Sequence, residues 1–332
     1  MWRFIVKRLI QLFFVFIIAL TVIFIIPRLL PGNPAQFYIT QVGTTVPMSE
    51  YAVQVREEIM KRYGLTKSYA EQFVLYLINT FQGYLGVSMT YFPRTVVELI
   101  LSRLPWTLAI MIPARILTFL LGYFIGTIAA WKPGRKLDVV IQFAGLSTIA
   151  FPIFWVGALM LMVFSYYIPI FPRGGSLTPG VVHKDIWSFL VDATYHAALP
   201  IITLTIFSFF GEALIMRNNM LMVLREDYIL TAFAKGLSER TVMFKHAARN
   251  ALLPLVTGLF AGLGYLIVGS IFIETIFAYP GVGYLFNQAI LLRDYPLVQG
   301  LFILITAITL ISNFIADLLY RLLDPRVRLF ED

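Results

Sequence analysis

The residues of this sequence that could do chemistry are charged side chains set within or beside long apolar stretches. A charge in the hydrocarbon of a membrane costs about 2.5–3.5 kcal/mol on insertion scales, so such groups usually face a protein interior, as ion pairs or along transport pathways. Five residues are candidates: Arg115, Glu212, Arg217, Glu274 and Asp317. Arg217 and Asp317 lie near the ends of their stretches, where we expect them to snorkel toward water. Glu274 lies near the opposite end of its stretch, where we expect a structural role.

Arg115 and Glu212 lie deepest in their stretches. At about 1.5 Å of rise per residue, Arg115 is about 14 Å along the helix from Trp106, and Glu212 is about 21 Å from Ala198. An arginine side chain is long enough to bridge that difference. We therefore predict that the two residues face the interior and interact, either as a structural ion pair or as part of a solute pathway.

The sequence lacks the motifs of common catalytic and nucleotide-binding sites. It has no Gly-x-x-x-x-Gly-Lys-Ser/Thr loop for phosphates, no Gly-x-Ser-x-Gly nucleophile elbow and no His-Glu-x-x-His zinc motif. The chain has no cysteine, and His183, His196 and His246 are far apart, so we predict neither a catalytic site nor a metal site. We expect no cofactor on this chain, and energy for transport must come from another chain or an ion gradient.

Composition sets the class of protein. Of 332 residues, 59% are hydrophobic and only 13% are charged, against about 25% charged in an ordinary soluble domain. The mean hydropathy is +0.81. A soluble fold needs a polar coat that this composition cannot supply, so the chain is predicted to be an all-α, polytopic protein of the lipid bilayer. The net charge of +8 is explained by basic loops on one side of the membrane rather than by binding to nucleic acid.

Apolar runs of about 20 residues predict six membrane spans. Their ranges are 9–30, 106–130, 139–168, 198–220, 254–278 and 299–320. The first run follows basic residues, as a secretory signal would, but it has no small-residue cleavage site and is expected to be retained. Pro113 and Pro152 interrupt the second and third spans, and a kink is predicted at Phe151-Pro152.

The distribution of basic residues predicts the orientation of the spans. With the N-terminus in the cytoplasm, the inner segments hold 15 Lys and Arg against 9 in the outer segments. The positive-inside rule then places both termini in the cytoplasm, with 324–332 as a cytoplasmic tail. The external segment 31–105 has helical spacing at Tyr51–Tyr63 and Tyr69–Phe81, which predicts a small helical cap on the membrane.

The cytoplasmic segment 226–254 carries signals for two short helices. Acidic residues suit the first turn of a helix from Asp227 to Lys235, and Gly236 can end it, with positive φ. Ser238 can begin a second helix. Ala232 and Ala234 are small and would let another surface come close. On physical grounds alone an ordinary connector between spans explains this segment equally well.

The same segment resembles the "EAA" loop of binding-protein-dependent ABC permeases, in the variant of the dipeptide and oligopeptide permeases. The resemblance rests on Asp227-Tyr228-Ile229, Thr231-Ala232, Ala234-Lys235-Gly236-Leu237-Ser238-Glu239-Arg240, His246-Ala247, Arg249-Asn250-Ala251 and Leu253-Pro254. The general loop begins Glu-Ala-Ala, whereas this chain has Leu230-Thr231-Ala232. The interval from Gly236 to Pro254 is also longer than in sugar importers, as in the peptide branch.

The resemblance covers nearly the whole chain and is closest to the first of the two permeases of a peptide importer. It includes residues 7–34, Gly64-Leu65, Gly83, Leu85-Gly86, Ser88, Leu104-Pro105, Thr107-Leu108, Glu274–Phe277, Tyr279–Gly283, Asp294–Pro296, Asn313, Asp317–Tyr320 and Asp324–Arg328. It implies an N-terminal span with an external region over 1–104. A type I importer transmembrane domain over 105–323 would then contain the coupling loop 226–254.

The resemblance also implies partners and site residues. A second homologous permease, two ATPase subunits that hold ATP and Mg, and an extracytoplasmic binding protein would complete the importer in the cell membrane. The residues implied in coupling to the ATPases are Asp227, Tyr228, Thr231, Ala232, Ala234, Lys235, Gly236, Leu237, Ser238 and Glu239. The solute would be a di- or oligopeptide. An oligosaccharide or a nickel complex is the alternative within the family, and an ion-coupled secondary transporter is the alternative outside it.

Overall fold

The computed structural model describes residues 2–29 and 67–323, and its long elements are all helices. In chain order they are α1 (Trp2–Leu29), α2 (Tyr69–Phe81), α3 (Val96–Trp131), α4 (Lys136–Ala150), α5 (Ile153–Leu161), α6 (Ile186–Val223), α7 (Asp227–Ala234), α8 (Glu239–Thr241), α9 (Ala248–Ala251), α10 (Leu253–Ala261), α11 (Leu263–Ile276), α12 (Val282–Leu291) and α13 (Tyr295–Leu323). Two π-helical turns, Met162–Tyr167 and Val242–Ala247, follow α5 and α8.

Four helices, α1, α3, α6 and α13, are long and apolar enough to cross a membrane. The predicted third span is two helices, α4 and α5, bent by 105°. The bend falls at the predicted proline, because Pro152 has no N–H to donate and Phe151 before it is held in an extended conformation. If this bent pair is one span, the described residues contain five crossings.

The predicted fifth span, 254–278, is covered by α10 and α11, which are separated only by Gly262. The backbone of Gly262 stays helical, with φ −72° and ψ −13°, and its N–H donates to the Gly258 carbonyl at 2.9 Å. Two other spans begin earlier than predicted, α3 at Val96 and α6 at Ile186. Hydropathy detects the apolar part of a helix, whereas the first turn of α6 is fixed by a polar cap in which Asp185 accepts from the Ser188 N–H at 2.8 Å.

The chain divides into two compact units. The first comprises Met1–Pro105 and Tyr284–Leu310, and the second comprises Trp106–Gly283 and Ile311–Asp332. The chain passes from the first unit to the second at Pro105/Trp106, and its segment 284–310 returns to the first unit.

In the first unit, α2 covers the second helical stretch predicted for the external cap, while Tyr51–Tyr63 lies outside the described residues. Packing against α1 is aromatic, with the rings of Phe24 and Phe73 5.1 Å apart. Arg28 on α1 donates to Gln72 on α2 at 2.9 Å. The two helices therefore pack against each other.

The second unit has two apolar clusters at opposite ends of α3 and α6. We call one the lower cluster; it contains Ala130, Met216, Met220, Ile229, Ala232, Val242, Ala247, Ala248, Ala251 and Leu255. The other, the upper cluster, contains Ile110, Met111, Ala114, Ala197, Leu199, Leu204, Ile273, Phe277 and Tyr279. Between them α3 and α6 approach closely, because a Cβ atom on Gly122 would lie only 2.7 Å from the Cβ of Glu212. Gly126 is equally tight, so this is a Gly-x-x-x-Gly contact.

Candidate functional site

The segment 226–254 contains α7 where the sequence predicts a helix. The helix ends at Lys235, and Gly236 follows with φ +74°. Positive φ is costly for a residue with a Cβ atom, so glycine lets the chain turn sharply here. Ser238 then accepts a hydrogen bond from the Thr241 N–H at 3.4 Å and begins the next helix.

One face of α7 packs against the rest of the chain. Ile229 and Ala232 are buried in the lower cluster. Asn250 donates from Nδ2 to the Tyr228 hydroxyl at 2.7 Å. At the end of α3, the Trp131 ring lies 6.2 Å from the ring of Phe233. Displacing α7 must therefore disturb the lower cluster and the helices packed in it.

The other face of α7 is exposed. Nine of the ten residues implied in coupling are exposed, on α7 or in the segment that follows it: Asp227, Tyr228, Thr231, Ala234, Lys235, Gly236, Leu237, Ser238 and Glu239. Ala232 differs from the expectation, because its methyl group packs inside this chain and cannot meet another surface. Leu230, which lacked a predicted role, is 72% exposed. An exposed leucine surrounded by polar groups is typical of a protein interface.

The structure brings together the two deepest charged residues. Arg115 Nη1 lies 2.5 Å from Glu212 Oε1, and the two side chains are 12% and 13% exposed. Arg115 Nη2 also donates to the backbone carbonyl of Gly258 on α10 at 3.2 Å. The contact with Gly258 could not be predicted from sequence, because every residue has a backbone carbonyl. One guanidinium thus joins α3, α6 and α10.

The expectation that Arg217 snorkels to water is wrong. Its guanidinium forms a bidentate ion pair with Asp138, in which Nε donates to Oδ1 at 2.7 Å and Nη2 donates to Oδ2 at 3.2 Å. Asp138 is 1% exposed and also accepts from the Gly134 N–H at 2.8 Å. In the sequence, Asp138 stands out only as a carboxylate at the start of an apolar run. Its partner Arg217 lies 79 residues away, so the pair could not be predicted.

Two histidines that are distant in sequence meet at one carboxylate. His183 Nε2 lies 3.0 Å from Asp192 Oδ2, and His196 Nε2 lies 3.5 Å from Oδ1. Thr178 donates to the same carboxylate through its N–H and its hydroxyl. Within the described ranges, no group of three or more His, Asp and Glu side chains is arranged to hold a metal ion. This network has a structural role, because it holds the loop before α6 against that helix.

The family is decided by comparison with known proteins. Residues 122–329 match the model of the family described as binding-protein-dependent transport system inner membrane component. The chain belongs to this family. It is accordingly a multi-pass membrane protein of the permease class rather than an ATPase.

Relatives match this permease over almost its entire length. It is 35% identical to the oligopeptide transport system permease protein AppB of Bacillus subtilis, over 92% of each chain. It is 35% identical to the di/tripeptide transport system permease protein DppB of Pseudomonas aeruginosa, over 99% of each. The oligopeptide transport system permease protein OppB of Haemophilus influenzae is 33% identical, over 99% of this chain and all of the relative.

In this permease, residues that carried the family resemblance meet in a buried turn after α11. Glu274 is fully buried and accepts from the Thr107 hydroxyl at 2.8 Å, which in turn accepts from the Val282 N–H at 2.8 Å. A Cβ atom on Gly281 would collide with the Glu274 carboxylate and the Thr107 hydroxyl, so glycine is the residue that fits here. Burial and this carboxylate raise the pKa of Tyr279 to about 12. Glu274 and its partners therefore hold a backbone turn, as expected of a structural residue.

Proposed function

We propose that this chain is the transmembrane permease subunit of an ATP-driven importer that moves di- and oligopeptides into the cytoplasm. Membership of the binding-protein-dependent family carries the proposal. An extracytoplasmic binding protein would deliver the solute. The names of the three relatives above support a peptide as the solute, since each is named for oligopeptide or di/tripeptide transport. An oligosaccharide or a nickel complex is the competing solute class within the family.

ATP and Mg are proposed to bind to two separate ATPase subunits and not to this chain. Those subunits would dock on the segment 226–254. Eight residues of α7 make about 12 Å of helix, which is enough to fill a groove on a partner. The exposed face of α7 supplies Leu230 as an apolar centre, with Asp227 and Lys235 as charged flanks. Because the opposite face is buried in the lower cluster, docking there would transmit movement to the spans.

The proposed topology has six spans, formed by α1, α3, the α4–α5 pair, α6, the α10–α11 pair and α13. Both termini and the coupling segment would lie in the cytoplasm, and the cap that contains α2 would lie outside. The family transmembrane domain would cover 105–323, with 1–104 as the external and N-terminal part. A second, homologous permease would complete the pathway across the membrane.

Reconstitution tests the proposal directly. The chain is co-expressed with the second permease, the ATPase subunits and the binding protein, and the complex is placed in liposomes. We expect uptake of a labelled tripeptide that requires both ATP and the binding protein. Uptake driven by an ion gradient without ATP would overturn the importer proposal. Tight binding of an oligosaccharide, without peptide binding, by the partner binding protein would overturn the peptide assignment alone.

A further inference from the structure

The helix α2 packs along α1 in the opposite direction. Near the start of α2, the ring of Phe73 lies 5.1 Å from the ring of Phe24 on α1. At its end, the ring of Phe81 lies 6.3 Å from the ring of Phe16 and 6.4 Å from the ring of Phe13. From Phe73 to Phe81 is about 12 Å of helix, so the two helices lie side by side over that distance.

These contacts place α2 at the depth of the membrane. The helix α1 is long and apolar enough to cross it, and the uncharged run 9–27 between Arg8 and Arg28 is about 28 Å long. That length matches a hydrocarbon core of about 30 Å, so Arg28 marks the external boundary in the proposed topology. Along α1, Phe24 lies about 6 Å inside Arg28, and Phe16 lies about 18 Å inside it. The neighbouring α2 therefore lies within the core.

A second membrane helix places α2 at the same depth. Leu77 of α2 packs against a cluster that contains Leu20 of α1 and Ile303 of α13. The helix α13 is also long and apolar enough to cross a membrane. Ile303 lies about 12 Å along α13 from Tyr295, its first residue. Both helices therefore hold α2 beside their apolar segments.

The charges around α2 agree with this depth. Residues 72–93 contain no charged side chain. They comprise α2 after its first turn and the chain that leads back toward α3. The nearest charged residues on either side, Glu71 and Arg94, are both exposed. Because a charge in hydrocarbon is costly, a segment set into the core should be charged only where it meets water, as this one is.

The chain turns back after α2 with its backbone groups paired. The N–H groups of Gln82, Gly83 and Tyr84 donate to carbonyl oxygens in the last turn of α2, at 2.8 to 3.0 Å. Hydrocarbon offers no other partner for these carbonyls. Gly83 has φ +78°, which lets the chain reverse, and Leu85 then packs against the same cluster as Leu77. The segment therefore leaves on the side from which it entered.

An apolar face of α2 is exposed. Val74, Leu75 and Ile78 recur at helical spacing and are 54%, 36% and 47% exposed. Such a face is unfavourable in water but not against lipid, whose acyl chains are equally apolar.

We propose that α2 is a re-entrant helix, which enters the bilayer from the external side beside α1 and α13, and that lipid acyl chains cover its exposed face. Lipid is the occupant because contacts with two membrane helices fix the depth of α2, where the segment carries no charge. The helix adds no crossing, so the orientation of α3 is unchanged. Through α2, the external cap proposed above is anchored inside the bilayer.

Spin labels on single cysteines measure what surrounds this face in the reconstituted complex. Labels at V74C and I78C are compared with A70C, in the first turn of α2, since the chain has no native cysteine. Collisions with oxygen, which is enriched in hydrocarbon, are compared with collisions with a water-soluble nickel chelate. The lipid reference is I18C, because Ile18 is 63% exposed within α1, and the water reference is V182C, where Val182 is 87% exposed before α6.

We expect the ratio of oxygen to nickel collisions to rise from A70C to V74C to I78C. At I78C the ratio should equal that at I18C and be several-fold higher than at V182C. A ratio at I78C as low as at V182C would place α2 in water and overturn the proposal. Few collisions with either reagent would show that protein covers the face, which would also overturn it.

A charge substitution provides a test without labels. I78K places a charge in the hydrocarbon, whereas A70K, the matched control, places one at its external boundary. We expect I78K to lower both the yield of the complex from membranes and its thermal midpoint, and A70K to leave both near the wild type. Equal yields and midpoints for the two variants would contradict the re-entrant position, even if the labelled variants fail to assemble.

Discussion

The Ser88 hydroxyl donates to the carboxylate of Asp294, 206 residues further along the chain, at 2.5 Å. The fully buried carboxylate also accepts from the N–H groups of Thr90 at 2.9 Å and Leu297 at 3.2 Å. It thereby fixes the loop after α2 to the first turn of α13 within the first unit. Both Ser88 and Asp294 are among the residues that carry the family resemblance, and the hydrogen bond between them gives both a structural role.

Replacing Asp294 with asparagine should destabilise the first unit. Ser88 and Thr90 donate to one carboxylate oxygen and Leu297 to the other, so the amide NH2 of asparagine would face at least one donor in place of an acceptor. Hydrogen bonds to a charged acceptor contribute about 1.5–3 kcal/mol each. We expect a clearly lower thermal midpoint for D294N in detergent. Exposed Asp227, changed to asparagine in the same way, is the matched control and should leave the midpoint unchanged. Equal midpoints for both variants would show that the carboxylate network is dispensable.

The Asp138–Arg217 pair should behave as a buried unit. Removing one partner leaves an uncompensated charge and should cost about 3–5 kcal/mol, whereas removing both should cost much less. The variants are D138L, R217M and the double variant, compared by thermal unfolding and by yield from membranes. Both single variants should be poorly stable and the double variant partly recovered. Strictly additive losses would mean that the two residues act independently.

Replacing Gly236 with valine should weaken both solute-stimulated ATP hydrolysis and transport. Gly236 has φ +74°, which a β-branched residue adopts at a cost of roughly 1–3 kcal/mol. That cost corresponds to about a 5- to 150-fold loss in a docking equilibrium. Insertion into the membrane should be normal, because the spans are untouched, while solute-stimulated ATPase activity and uptake should fall.

Gly180 provides the control for that substitution. It also has positive φ, +79°, and like Gly236 it has open space around the position of a Cβ atom among the described residues. It lies in the loop before α6, on the side proposed to be external. G180V therefore imposes similar strain and should leave coupling intact. Normal uptake by G236V would show that the segment is only a connector.

The proposed orientation can be tested by cysteine labelling, since the chain has no native cysteine. Val182 is 87% exposed before α6, and Leu230 is 72% exposed on α7. A membrane-impermeant maleimide should label V182C in intact cells and label L230C only after permeabilisation. The reverse pattern would invert the topology.

Local signals account for the parts of the structure that could be predicted from sequence. The ends of α7 follow from Asp227, Gly236 and Ser238, whose effects act within one helical turn. The helix at Tyr69–Phe81 follows from its apolar spacing. The bend before α5 follows from Pro152, because a missing N–H acts on the residues beside it. Its angle of 105° does not follow, since packing sets the angle.

Long-range partners were predictable only where charge left one reasonable choice. Depth in the apolar stretches paired Arg115 with Glu212, since an interior charge needs an opposite one. The same rule failed for Arg217, because a position near the end of a helix made water an equally acceptable partner. The sequence does not predict that His183 and His196 share a partner, and the fold places both against Asp192.

The sequence by itself determined the class of protein, the apolar helices and the short helices of the segment 226–254, because hydrophobicity, caps and glycine act locally. Only the tertiary structure decided which face of α7 is buried and that the Gly258 carbonyl accepts from Arg115. Those features depend on backbone atoms and on close helix approach, as at Gly122. Every residue has the same backbone carbonyl, so position in three dimensions alone distinguishes the one at Gly258.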